Sequence, residues 1–170
     1  MTKSVKLAAL FAIFSFFQVS FAAAQGAQVP FAGLEIGANS KVEIAADSLS
    51  IDQTSGKAVF SGNVVAGIEN MRLSADKVEV VYQTGTEGGI GAVSGLIATG
   101  HVVFSNGDEA AEGDVADLDL EGGLIVMTGN VILTQGPNAL SGEKLNIDLN
   151  TGTALIEGRV QTIFQAGGSE

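Results

Sequence analysis

Apolar and polar positions alternate along this chain in short runs, and the runs return at a fixed spacing. Four segments, "IAADSLSIDQTSG", "LSADKVEVVYQTG", "AEGDVADLDLEGG" and "LSGEKLNIDLNTG", align without gaps in their first half. In each, an acid (Asp47, Asp76, Asp114, Glu143) is followed nine positions later by a glycine (Gly56, Gly85, Gly123, Gly152). A second glycine (Gly62, Gly100, Gly129, Gly158) follows the acid by 15 residues in units one, three and four and by 24 in unit two. One insertion of nine residues, Thr86 to Ser94, accounts for the difference. The period is 29 residues, once extended to 38, which marks an architecture of stacked units that bury their faces against one another.

The runs are short, rich in Val, Ile, Leu and Thr, and bounded by Gly, Asn, Asp and Ser, so the units are read as strands. Past the leader no window sustains a helical period. Counting two, four and six past the acid gives Leu49, Ile51, Gln53; Val78, Val80, Tyr82; Ala116, Leu118, Leu120; and Leu145, Ile147, Leu149, with polar residues between. Around the second glycine the same alternation selects Phe60, Val64, Ala66; Ala98, Val102, Phe104; Met127, Val131, Leu133; and Ile156, Val160, Thr162. One face is therefore apolar and the other wet. The residue after that glycine, Asn63, His101, Asn130 or Arg159, belongs outside.

Three positions before the acid stand Ile44, Leu73, Ala111 and Leu140, an odd offset where the later ones are even. A strand that keeps one apolar face across that change must kink or bulge near the acid. The first glycine of each unit, as in "EGG" and "NTG", suits a hairpin turn with a residue at positive φ. Each unit is then a bent strand, a tight turn and a return strand. The fold class expected is all-β: a twisted jelly-roll or solenoid-like sandwich of four strand-turn-strand units, open at both ends. Its edge strands leave unpaired backbone groups that invite strand addition by another copy or a similar domain.

Composition changes the picture at the N-terminus. Residues 1–24 carry Lys3 and Lys6, the apolar run "LAALFAIFSFF" and an alanine cleavage site at Ala22 to Ala24, the pattern of a secretory leader. The expected organisation is leader 1–24, an N-terminal segment 25–40, a β domain 41–164 and a tail 165–170. An uncleaved leader would instead anchor the chain, since Leu7 to Ala24 is about long enough to span. Without the leader, six basic side chains stand against 19 acidic ones, a net charge of -13, which repels nucleic acid. The chain has no cysteine, so no disulfide contributes to its stability.

Little suggests catalysis or a cofactor. His101, the single histidine, occupies the outward slot that Asn63 and Asn130 fill elsewhere, so a surface role is expected. Asp117, Asp119 and Glu121 recur at strand spacing on the wet face and read as solvating charge rather than a calcium site. "TGTEGGIGAVSG" lacks the Lys and Ser/Thr of a phosphate loop and precedes a strand, so it reads as a flexible loop. No nucleophile-base spacing and no metal-ligand set stands out.

The run "FSGNVV" followed by "LSADKVEVVY", Phe60 to Tyr82, with "TGNV" at Thr128 to Val131 and the leader, resembles the LptA/OstA family of periplasmic lipopolysaccharide-transport proteins. The resemblance covers about Lys41 to Phe164. It implies a twisted β-jelly-roll in the periplasm that stacks head to tail between an inner-membrane extraction complex and an outer-membrane translocon, with the lipid's acyl chains in its groove. By the same resemblance, the lipid lies against Val42, Ile44, Tyr82, Phe104, Leu118 and Leu120. The lipid-facing set extends along the apolar face to Leu49, Ile51, Phe60, Val64, Val78, Val80, Val102, Met127, Val131, Leu133, Ile147 and Leu149. Sparse aromatics on that face suggest space between the sheets. The acidic charge implies that headgroups stay in solvent at the groove's mouth. A membrane-anchored component of the same pathway and a structural solenoid that binds no lipid are the alternatives.

Overall fold

The computed structural model describes residues 26–30, 41–52, 57–83 and 92–164. Every regular element among them is a strand: β1 (Ala27–Pro30), β2 (Val42–Ala45), β3 (Ser48–Asp52), β4 (Lys57–Ile68), β5 (Met71–Tyr82), β6 (Val93–Asn106), β7 (Glu109–Asp119), β8 (Leu124–Gln135), β9 (Asn138–Asp148), β10 (Thr153–Glu157) and β11 (Gln161–Ile163). The strands pair antiparallel in the order β1-β10-β9-β8-β7-β6-β5-β4-β2. At one end β2 and β3 share β4, and at the other β10 and β11 share β9. The sheet stays open rather than closing into a barrel. The leader expected over residues 1–24, most of the segment ahead of Lys41 and most of the glycine-rich insertion lie outside the described residues.

Register explains why the four units agree. Residues opposite one another in antiparallel strands point to the same face. One ladder runs Leu49, Phe60, Val78, Ala98, Ala116, Met127, Leu145, Ile156, Ala27 across the sheet. A second runs Ile51, Ala58, Val80, Leu96, Leu118, Ile125, Ile147, Ala154, Val29. Beyond the bend, Ile44, Ala66, Leu73, Phe104, Ala111, Leu133 and Leu140 make a third. All three ladders belong to one buried apolar cluster or pack on its margin, save Leu49 and Ile51. Within the cluster Val78, Met127, Val131, Leu133, Leu145 and Ile147 are fully buried.

A single sheet cannot bury one face this completely unless something covers it. Here the two halves of each long strand do so, because every long strand bends at its middle. Register shifts at Ser61/Val64, Ser74/Lys77, Thr99/Val102, Glu112/Val115 and Thr128/Val131 fall in line, one per ladder of acid and second glycine. Contacts across the fold confirm the closure. Gln135, at the far end of β8, donates to the Pro30 carbonyl at 2.7 Å. At the opposite margin Val42 and Ile44 line one cleft with Phe60, Val80 and Tyr82. The architecture is a β-jelly-roll.

The bend has a local cause. Gly62, Gly100 and Gly129 lie at φ near +80°, and the residue after each, Asn63, His101 and Asn130, is also left-handed at 46°, 44° and 49°. Gly158 and Arg159 repeat this at 79° and 34°. Two successive left-handed residues form a bulge that turns the strand while keeping the apolar side chains before and after it on one face. The acid of the preceding strand lies over the glycine. A Cβ on Gly62 would meet the Asp47 carboxylate at 2.5 Å, and one on Gly129 would lie 2.8 Å from the Cβ of Asp114. The next residue closes the motif: Asn63 donates to Asp47 at 2.8 Å and Asn130 to Asp114 at 3.0 Å, while His101 pairs with Asp76 at 2.8 Å. The kink expected near the acid is therefore a bulge built jointly by acid, glycine and polar residue. Hairpin glycines Gly123 and Gly152 have positive φ as expected, while Gly56 and Gly85 lie outside the described residues.

Candidate lipid-binding interior

The apolar face divides into three environments. Val64, Val78, Val80, Val102, Phe104, Leu118, Met127, Val131, Leu133, Ile147 and Leu149 are buried in a continuous packed core. Val42, Ile44, Phe60, Tyr82 and Leu120 are partly buried at its margin. Leu49 and Ile51 face the same way as their ladder partners but are 50% and 54% exposed, because β3 is an edge strand with no further strand beyond it among the described residues. Thr162, expected inward, is exposed on the short β11 at the other edge. In the middle of the roll the apolar ladders are closed off from solvent, and the small residues Ala98, Ala111, Ala116 and Ala154 stand among them fully buried.

Space inside the roll remains at its N-terminal margin. There Val42, Ile44, Phe60, Val80, Tyr82, Val93 and Leu96 line an apolar cleft of about 220 Å³. β2 supplies the upper lip and β4, β5 and β6 the lower. The exposed Leu49 and Ile51 extend the same apolar surface outward along β3. A larger cleft, about 550 Å³, lies on the outer face of this end between Lys41, Glu43, Val65, Gly67, Glu69 and Arg72. Its cations are already engaged: Lys41 pairs with Glu43 at 2.5 Å, and Arg72 donates to the carbonyls of Met71 at 2.9 Å and Glu69 at 3.3 Å.

Among the described residues two carboxylates hold hairpin turns by their backbone amides. Asp119 Oδ1 accepts from the amides of Glu121 and Gly122 at 3.0 and 2.8 Å, holding the β7–β8 turn. Asp148 Oδ1 does the same for Asn150 and Thr151 at 2.9 and 3.1 Å, and the Thr151 amide bond is the main reason its carboxyl lies below the usual range. Hydrogen bonding to Asp76 raises the His101 imidazole above its ordinary value. No group of three or more metal-ligating side chains forms among the described residues.

The bent-strand roll with an apolar face is shared with known proteins. The profile of the LptA/(LptD N-terminal domain) LPS transport proteins matches residues 43–153. The chain belongs to that family. The family is one of transport proteins, not of enzymes. In three dimensions the roll superposes on LptH, described as the LptA homologous periplasmic component of the conserved lipopolysaccharide transport device from Pseudomonas aeruginosa, with a TM-score of 0.65. The match covers 74% of this chain and 96% of LptH at 17% identity, so it bears on the fold. No curated protein sequence matches the chain significantly.

The acid-glycine-polar bulge is a feature that sequence reading left incomplete. Its spacing was visible, but the contact between acid and second glycine arises only from pairing between neighbouring strands.

Proposed function

We propose that this protein is a periplasmic carrier that takes the acyl chains of lipopolysaccharide into its roll and passes them toward the outer membrane. The observation that carries the reading is the apolar cleft at the N-terminal margin, where the roll's two halves stand apart around Val42, Ile44, Phe60 and Tyr82. An acyl chain moved from water into such surroundings gains about 0.8 kcal/mol per CH₂, so a lipid with several chains needs an apolar conduit. From the cleft, the ladders of Val80, Leu96 and Leu118 and of Phe104 and Leu133 lead inward. Passage along them requires the halves to part, which an open sheet permits and a closed barrel does not. Headgroups stay in solvent, since Lys41 beside the mouth is paired with Glu43 and Arg72 already donates to the Met71 carbonyl. Copies stack head to tail through their edge strands, and edge strands of the inner-membrane extraction complex and the outer-membrane translocon would dock on the two ends in the same way.

A structural roll that binds no lipid would be packed throughout. The middle of this one is closed off from solvent, and the cleft at its margin is what favours the carrier. Mass spectrometry of lipid co-purified with the protein from its native envelope tests the choice. Lipid A species in stoichiometric amount are expected; their absence, under conditions that keep a known lipid carrier loaded, overturns the proposal.

A further inference from the structure

Strand β1 stands where the repeat says a fifth unit should begin. In each internal junction the residue two before the second glycine lies opposite the residue two past the next acid: Ala98 faces Ala116, and Met127 faces Leu145. Four before the glycine lies opposite four past the acid, as Leu96 faces Leu118 and Ile125 faces Ile147. At the last glycine, Gly158, the same rule calls for partners to Ile156 and Ala154. Among the described residues no fifth acid strand stands there, and β1 fills the place, with Ala27 opposite Ile156 and Val29 opposite Ala154.

Extended to a second copy stacked on this edge, the rule assigns those two places to Leu49 and Ile51, which lie two and four past Asp47. These are the two large apolar side chains of β3, 50% and 54% exposed for want of a neighbour. β1 and β3 would run in the same direction on β10, with Ala27 in the place of Leu49 and Val29 in that of Ile51. We infer that β1 is a built-in cap that imitates β3 and is displaced by β3 of a second copy. The inference rests on the head-to-tail reading above and adds its register and its control.

The cap is made to be displaced. It has four residues where β3 has five. Its last residue, Pro30, has no backbone N–H, and its two inward side chains hold four fewer carbon atoms than Leu and Ile. Gly26 allows the close approach, since a Cβ there would meet the Ile156 carbonyl at 2.7 Å. Chain length favours the exchange. Ten residues join Pro30 to Lys41. Fully extended they reach about 38 Å. Eight strand steps separate β1 from β2, roughly the same distance along the sheet. Once β3 of the second copy takes this edge, the displaced residues 27–30 no longer have to keep within that span.

The chain has no cysteine, so paired substitutions report the register cleanly. In the full chain, Ala27→Cys/Ile156→Cys locks the cap by an intramolecular disulfide, and Val29→Asp loosens it. Sedimentation velocity is expected to show the locked protein as monomer, association restored by reductant, and about tenfold tighter association for Val29→Asp, the factor for a cap closed some nine-tenths of the time. Oxidised Leu49→Cys/Ile156→Cys should form intermolecular ladders, whereas Leu49→Cys/Leu155→Cys, whose second site points to the other face, should not. Equal association of locked and reduced forms overturns the cap while leaving stacking intact. Absence of association in wild-type and Val29→Asp alike overturns the head-to-tail reading itself, independently of whether lipid is bound.

Discussion

Replacing Gly129 by alanine tests the bulge that gives the roll its shape. Gly129 has φ +81°, and a Cβ there would lie 2.8 Å from both Cβ and Cγ of Asp114. An L-residue in the left-handed region costs about 1–2 kcal/mol. Moving Asp114 aside also weakens its 3.0 Å bond from Asn130, worth about 0.5–1.5 kcal/mol and toward the low end because the pair is exposed. The sum is about 1.5–3 kcal/mol, or a fall in Tm of roughly 5–12 °C for a domain of this size. Gly136, at φ +55° with nothing within 4 Å of where a Cβ would stand, is the control. Gly136→Ala meets the backbone cost alone, so Gly129→Ala should exceed it by about 1 kcal/mol in urea titrations. Asp114→Gly added to Gly129→Ala removes both the Cβ and the Cγ that the new methyl meets, and should return that excess as a favourable coupling. Equal losses at the two glycines, or no coupling, would refute the claim that the acid and the glycine fit each other.

Other outcomes follow from the same geometry. His101→Asn keeps a donor to Asp76 and places at φ 44° a residue that tolerates it, so the melting temperature should rise slightly. The His101–Asp76 pair raises the folded-state imidazole value; its contribution is full below the unfolded value near 6.5 and is lost as pH rises through the folded one. Melts from about pH 5 to 9 should therefore show a neutral-range decline in the wild type that His101→Asn removes. Leu118→Ala or Met127→Ala should cost about 2–5 kcal/mol by chemical denaturation, and Leu49→Ala almost nothing in the monomer, where it is exposed. Residues 92–164 carry ten acids against two Lys/Arg, so copies repel, and light scattering should show association strengthening between about 20 mM and 300 mM salt.

Much of this was legible in the sequence because a sheet's two-residue period and the 29-residue repeat reinforce each other. The parity change between Leu140 and Leu145 revealed the bend, and Met127, Val131 and Leu133 fell on the face they occupy. Burial was less legible. Leu49 and Val78 hold equivalent positions in their units, yet one is half exposed and the other fully buried, a difference set by whether a strand lies beyond. Interior volume was illegible too, since it depends on how closely ladders of alanine let the halves approach. β1 gave no signal, because four residues around Val29 are too few for a period to show.

If acyl chains enter between the halves at the N-terminal margin, side chains lining that cleft touch lipid during transport and those on the outer face do not. Photo-crosslinking amino acids placed one at a time at Ile44, Tyr82 and Ile132 read this out in living cells. Ile44 and Tyr82 line the cleft, whereas Ile132 is exposed on the outer face. Lipopolysaccharide adducts are expected at Ile44 and Tyr82, with none at Ile132. Adducts at Ile132 alone, or at none of the three while the protein is folded and exported, would rule out entry at this margin.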